Sequence, residues 1–439
     1  MGSVTDVDPQ HFLYSNESPS VNTLKVTNLS THKILVTTNR NVSLLSYRNG
    51  KYALDRIPFD VESGSDFEVI DAVTVSTKST VYVAIASIEF PSEQINLQTR
   101  CLSLIDCGEG VPCESVGNIG SKLFNRFHLE TAPSTMVEIK VSTVDQLFTG
   151  VLVFTTEDVV AFGSITSQNE DESKNECEFA QLTSDQLYAF LPELKSLRHP
   201  IVTTEFRYVP ESGYALGAFG CADGAVFIMR FQLMRAHELK SSNVIHDVHV
   251  CGPISCVRLW RRPQSEQWNL LVTSSVGYAL VFKNIESEQT SAHILPEVGM
   301  TDSIFTALLM DTNPDRSEFF IGTGDQGLVA CGHEAYMKIA EYDADRHSDE
   351  ETNIDTGSTR VYFEAAGSVY SLASADLNGD GVDEVVVACS VAIYILKMDH
   401  DDQRKNHLEA DSGLATELHN NTRFPVEKIL HASQSNASE

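Results

Sequence analysis

Short apolar runs separated by polar turns recur along most of the chain. Each run is strand-length, rich in Val, Ile, Leu and Phe, and bounded by Gly, Asn, Asp or Ser, the pattern of strands joined by tight turns. Ile34-Leu35-Val36 and Val42-Ser43-Leu44-Leu45 lie within Leu24–Tyr47, and the same theme returns in Phe67–Ile105. In Val137–Phe162 the runs Val151–Phe154 and Val159–Phe162 flank Glu157-Asp158. Val202–Phe231 repeats the theme around Ala222-Asp223-Gly224, and Ile254–Phe282 follows. The last two copies open at Ser303 and Ser368 and are the most alike: Ser303–Asp315 parallels Ser368–Asp380. Alternation such as Val81-Tyr82-Val83-Ala84-Ile85 favours strands over helices. One stretch departs from this. In Asp185–Leu197 the residues Leu187, Phe190, Leu191, Leu194 and Leu197 keep helical spacing, and Pro192 inside it predicts a short, broken helix between the third and fourth copies.

Seven copies, spaced about 45 to 70 residues apart, predict an all-β ring of repeats. The fold expected is a seven-bladed β-propeller of divergent blades over residues 12–398. The spacing is long for a WD40 blade (about 40–45 residues) and near or above a kelch blade (about 50). Neither a WD dipeptide nor a Gly-Gly signature is present. A polar tail over 399–439 follows, in which Phe424–Leu430 reads as a strand able to return and close the ring, since an open edge strand is a liability.

Composition narrows the function. A net charge of −30 argues against nucleic acid and against adsorption to anionic lipid. Eleven of the 61 acidic residues cluster in Gln168–Glu178 and Asp343–Asp355, expected as solvated, mobile loops between repeats, with partner docking the alternative. Nine cysteines form no C-x-x-C pair, and their odd count without a secretory leader predicts reduced thiols in a cytoplasmic protein. The longest apolar stretch, Val385–Leu396, is too short to cross a bilayer and reads as two paired strands. No G-x-S-x-G elbow, Gly-rich phosphate loop or H-E-x-x-H occurs. The expectation is a binding protein with no catalytic residues and no required cofactor.

Three places carry candidate chemistry. Asp376-Leu377-Asn378-Gly379-Asp380-Gly381-Val382-Asp383-Glu384 has the form D-x-N-x-D-G-x-x-E. Asp376, Asn378, Asp380, the Val382 carbonyl and Glu384 are candidate Ca2+ ligands, with Gly381 allowing the sharp turn. An EF-hand also needs Glu at the twelfth place, here Val387, and a helix where this loop enters a strand. The alternative is that the carboxylates and Asn378 cap the turn by accepting backbone N–H bonds. The related segment at Asp311 has Arg316-Ser317-Glu318 in place of the turn glycine. His246-Asp247-Val248-His249 splits its histidines over two faces of a strand, a poor metal pair. Arg258, Trp260, Arg261 and Arg262 form the best basic patch, read as a hairpin with an exposed Trp; a packed Trp260 in an ordinary turn is the alternative.

The Asp376–Glu384 loop and its strand resemble FG-GAP-type propeller blades, as in integrin α heads. A longer series of landmarks points further. Phe190-Leu191-Pro192-Glu193-Leu194 precedes Ala218–Gly224, then Gly252-Pro253-Ile254-Ser255, Leu270–Ser274 and Val281-Phe282-Lys283. Ile294-Leu295-Pro296, Asp302-Ser303-Ile304 and Asp376–Glu384 complete the series. That order, over Phe190 to Lys397, resembles the kaptin family of KICSTOR-complex subunits. The tail differs, since Asp399–Glu439 is acidic to neutral where the family's tail is basic and helical. The resemblance implies a non-catalytic propeller that pairs with a second FG-GAP-type propeller subunit and attaches to a large scaffold subunit. Such an assembly holds GATOR at the lysosomal surface and restrains the rapamycin-target kinase when nutrients are scarce. The resemblance also implies association with F-actin, itself acidic, for which so acidic a chain needs a local basic patch. An extracellular integrin-like adhesion head is a third reading, opposed by the missing leader and irregular cysteines.

Overall fold

The computed structural model describes residues 11–13, 25–30, 32–59, 66–77, 80–90, 98–109, 122–143, 146–167, 179–197, 200–209, 213–232, 234–235, 243–261, 267–287, 291–295, 303–313, 316–323, 327–332, 361–365 and 367–396. Among them the chain is all-β apart from one helix and one 3-10 turn. The described strands form seven sheets, taken in chain order, of four strands each except for five in the third. Pairing is antiparallel, save where Met234–Arg235 runs parallel to Ser142–Thr143. Each segment carrying the repeat theme falls within one sheet.

The sheets open with Lys25–Ser30, Asp66–Ser76, Pro133–Thr143, Ile201–Val209, Ile254–Arg261, Ile304–Asn313 and Val369–Ala375. Each opening strand lies against the next one in that order, and Val369–Ala375 lies against Lys25–Ser30. Apolar side chains follow the same succession. Among the described residues, seven buried clusters are each shared by two neighbouring sheets, the last by the seventh and the first. Sheets covered on both faces explain the weak alternation in the second strands. Trp268–Ser274 and Glu384–Cys389 are buried at every position, so they read as continuous apolar runs.

The third and fourth sheets share the largest of these clusters, which also takes in the helix. Ser184–Phe190 is helical, with Thr183 and Gln186 forming a reciprocal capping box at its start. Pro192 then begins the 3-10 turn Pro192–Ser196, where its missing N–H is no loss. The broken helix expected from Asp185–Leu197 is therefore present, and Leu187, Phe190, Leu191, Leu194 and Leu197 are all buried. Within the third sheet Gly150 and Gly163 face one another across the strands. A Cβ on Gly150 would meet the Phe162 carbonyl at 2.2 Å, and one on Gly163 the Thr149 carbonyl at 2.4 Å. The absent side chains leave room for the Phe148 ring.

The seventh sheet takes its fourth strand from the start of the chain. His11–Leu13 pairs antiparallel with Ala392–Tyr394. The returning strand expected at 424–430, like the rest of the 399–439 tail, lies outside the described residues, as do the acidic insertions 168–178 and 343–355.

Charged side chains cross several seams. Asp71 of the second sheet is buried and accepts from the Met136 N–H (2.8 Å) and the Thr135 hydroxyl (3.2 Å) of the third. Glu138 of the third accepts from the Ser76 N–H (2.8 Å) of the second. Glu205 of the fourth accepts from the Leu259 N–H (2.9 Å) of the fifth. Backbone donors on the opening strands, left without a ladder partner on that edge, are satisfied in this way.

Candidate functional site

The Asp376–Glu384 loop joins Val369–Ala375 to Glu384–Cys389 in the seventh sheet. Gly379 (φ 78°) and Gly381 (φ 86°) adopt the left-handed conformation that ordinary side chains resist. Asp376 accepts the Gly379 N–H with one carboxylate oxygen (2.8 Å) and the Gly381 N–H with the other (2.9 Å). Asn378 Oδ1 accepts the Asp380 N–H at 2.8 Å, and Asp380 Oδ1 accepts the Val382 N–H at 3.0 Å. The loop is wound on its own backbone donors.

Glu384 is completely buried at the loop's end. Its Oε2 accepts from the Leu377 N–H (2.8 Å); its Oε1 accepts from the Asn378 amide and from the Tyr52 hydroxyl (3.1 Å) of the first sheet. Burial pushes the Glu384 carboxyl above the usual range, against the pull of its donors, and the Asp380 charge adds to the rise. Burial, then the neighbouring Asp376 charge, raises Asp383 as well. The Tyr52 phenol is raised by burial and by the Glu384 charge, so it stays a donor. His32, also from the first sheet, bonds the Asp376 carbonyl through Nδ1. Tyr52 and His32 have no signature in the sequence that ties them to a loop more than three hundred residues away.

The sixth sheet handles the related segment differently. There Ile304–Asn313 and Arg316–Thr323 pair as far as Asn313 and Arg316. Without the turn glycines, strand replaces loop.

The basic patch is not one surface. Arg258 turns inward between its neighbours, where Nε donates to the Ala307 carbonyl of the sixth sheet at 2.8 Å and Nη1 lies 3.9 Å from Glu205 of the fourth. Trp260 is only 4% exposed and belongs to the core between the fifth and sixth sheets, so of the two readings of this segment the packed Trp is the one found and the exposed one is set aside. Arg261, on the opposite face, is exposed with its guanidinium 5.7 Å from the Trp268 ring centre. Strand alternation separates what the sequence lists side by side. Arg262 lies outside the described residues. His246 and His249 both fall in the strand Asn243–His249; His249 is exposed, and the side chains of His246 and Asp247 are outside the described residues. Among the described residues no group of three or more His, Cys, Asp or Glu side chains is arranged to hold a metal ion. No described helix is long and apolar enough to cross a membrane.

A family model described as KICSTOR complex protein kaptin matches residues 14–408. The chain belongs to the kaptin family. The mouse (Mus musculus) KICSTOR complex protein kaptin is 25% identical over 219 residues, covering 47% of this chain and 46% of the mouse protein. The chain thus spans about half the length of the curated kaptin it matches. Among solved structures, one of BBS1N in complex with ARL6DN, soaked with lead, aligns with TM-score 0.47 at 9% identity, over 91% of this kaptin-family chain and 98% of the other. A chain of the mitotic checkpoint complex aligns with TM-score 0.45 at 12% identity, over 90% and 96% of the two chains.

Proposed function

We propose that this chain is a closed seven-bladed propeller of FG-GAP and WD40 type, acting as a non-catalytic scaffold subunit of a KICSTOR-like complex. The family match over residues 14–408 carries this reading. The cyclic succession of seven shared cores supports the closed ring. Such a body works by presenting rigid sheet edges and loops to partners, with no bond made or broken. Its partners are a second FG-GAP-type propeller subunit, a large scaffold subunit and, through them, GATOR. Together they bring GATOR to the lysosomal surface and restrain the rapamycin-target kinase under nutrient limitation. The chain itself is cytoplasmic and reaches the membrane through its partners.

Direct binding of F-actin is the weaker reading, because the residues proposed to make a basic patch are divided between a seam, a core and one exposed arginine. Affinity purification of the tagged full chain from nutrient-starved cells, with mass spectrometry, separates the two. Recovery of another FG-GAP propeller, a very large scaffold and GATOR is expected. Actin and its regulators without those proteins would overturn the scaffold reading.

A further inference from the structure

We propose that the Asp376–Glu384 loop is a cation-independent clasp that fastens the seventh sheet to the first, with the Asn378 amide nitrogen standing between the carboxylates where a calcium loop holds its ion. The orientation of Asn378 carries this inference. The Asp380 N–H donates to Asn378 Oδ1 at 2.8 Å, so the amide oxygen is turned towards the backbone. The amide nitrogen consequently faces Asp380 Oδ2 at 3.1 Å and also bonds Glu384 Oε1. Turning the amide over to offer an ion its oxygen would set two N–H groups against each other. A calcium cage needs oxygen at that third position, and here it finds a donor.

The carboxylates are turned to the loop's own donors as well. Both oxygens of Asp376 hold glycine N–H groups, and Glu384 accepts from three donors at once. Several amide and hydroxyl dipoles, with no single ion, offset the negative charge of the loop. One of those donors makes the loop a clasp. Tyr52 belongs to the first sheet and sits beside Tyr47 in the apolar cluster that the first and seventh sheets share. The His32 contact to the Asp376 carbonyl adds a second tie across the same seam. This inference stands apart from the scaffold reading, since it concerns how the body is held shut and needs no partner.

The test uses the full-length chain, melted in EDTA, in millimolar calcium and in magnesium at the same concentration, the last to account for simple screening of so acidic a protein. Terbium emission sensitised by Tyr52 gives an independent view of the loop. The native chain is expected to melt at one temperature in calcium and magnesium and to give no saturable terbium signal. Tyr52→Phe is expected to lower the melting temperature equally with and without calcium. Asn378→Asp, which puts a third carboxylate where the donor stood, is expected to melt several degrees lower in EDTA. A native chain whose melting temperature rises with calcium beyond magnesium, with saturable terbium emission, would overturn the clasp and make the loop an ion site. Tyr52→Phe or Asn378→Asp melting like the native chain in EDTA would overturn it too. The native measurement needs no variant to fold.

Discussion

The seam between the third and fourth sheets and the seam between the seventh and the first join neighbouring parts of one chain by opposite means. The former is aromatic. Phe154 and Phe219 meet edge to face at 5.7 Å, Phe206 and Phe231 surround Phe219, and Phe148 packs on Phe190 of the helix at 5.5 Å. The latter has an apolar floor as well, but its rim is the hydrogen-bonded loop around Glu384. Apolar cohesion is non-directional and spread over many side chains, so no single residue announces it. Polar closure depends on a few groups in fixed geometry, and a few residues therefore decide it.

The contrast can be broken most forcefully from the aromatic side. Phe219→Ala is expected to cost about 3–5 kcal/mol, through lost burial and the void left among three rings. Its urea midpoint should fall by the same amount at every pH near neutrality, since no charge is involved. Gly150→Ala comes next, about 1–3 kcal/mol, because the new methyl meets backbone and the strands must part. A crystal structure of that variant should show Phe148 displaced.

On the polar side the signature is a slope. The folded Glu384 carboxyl titrates above its ordinary value because of burial, so between the two values the folded chain holds the proton that the unfolded chain releases. The contribution of this group to stability is then greatest below the ordinary value and falls as pH rises through that window, by at most about 1.4 kcal/mol per pH unit. Comparing urea midpoints from acid to neutral pH, Glu384→Gln should be the flatter of the two. The smallest effect returns to the aromatic seam. Thr183→Ala removes the capping box from the short helix and should cost about 1 kcal/mol, with no dependence on pH beyond that of the parent.

The strands, their grouping into repeats and the helix broken at Pro192 were legible because each rests on local pattern, apolar period and turn chemistry. The loop at Asp376 was legible as a motif, though not as to purpose, since what Asn378 does depends on which way its amide is turned. Tyr52 was invisible because nothing local marks a tyrosine whose partner is distant in sequence. The basic patch fails as one surface for a local reason: adjacent arginines suggest a surface, yet alternation sends Trp260 inward and Arg261 outward. Asp71 carried a faint signal, an acid set within Val69-Ile70-Asp71-Ala72-Val73, which only makes sense once a neighbouring strand offers it an N–H.

The strand His11–Leu13 has a consequence for synthesis. Its partner, Ala392–Tyr394, is translated roughly 380 residues later, a wait of roughly 20–80 s at common elongation rates. Until then the earlier sheets can form, but the finishing pair of the last one cannot. A nascent chain must carry that short segment unpaired past every other strand, and during this interval chaperones have the most to guard.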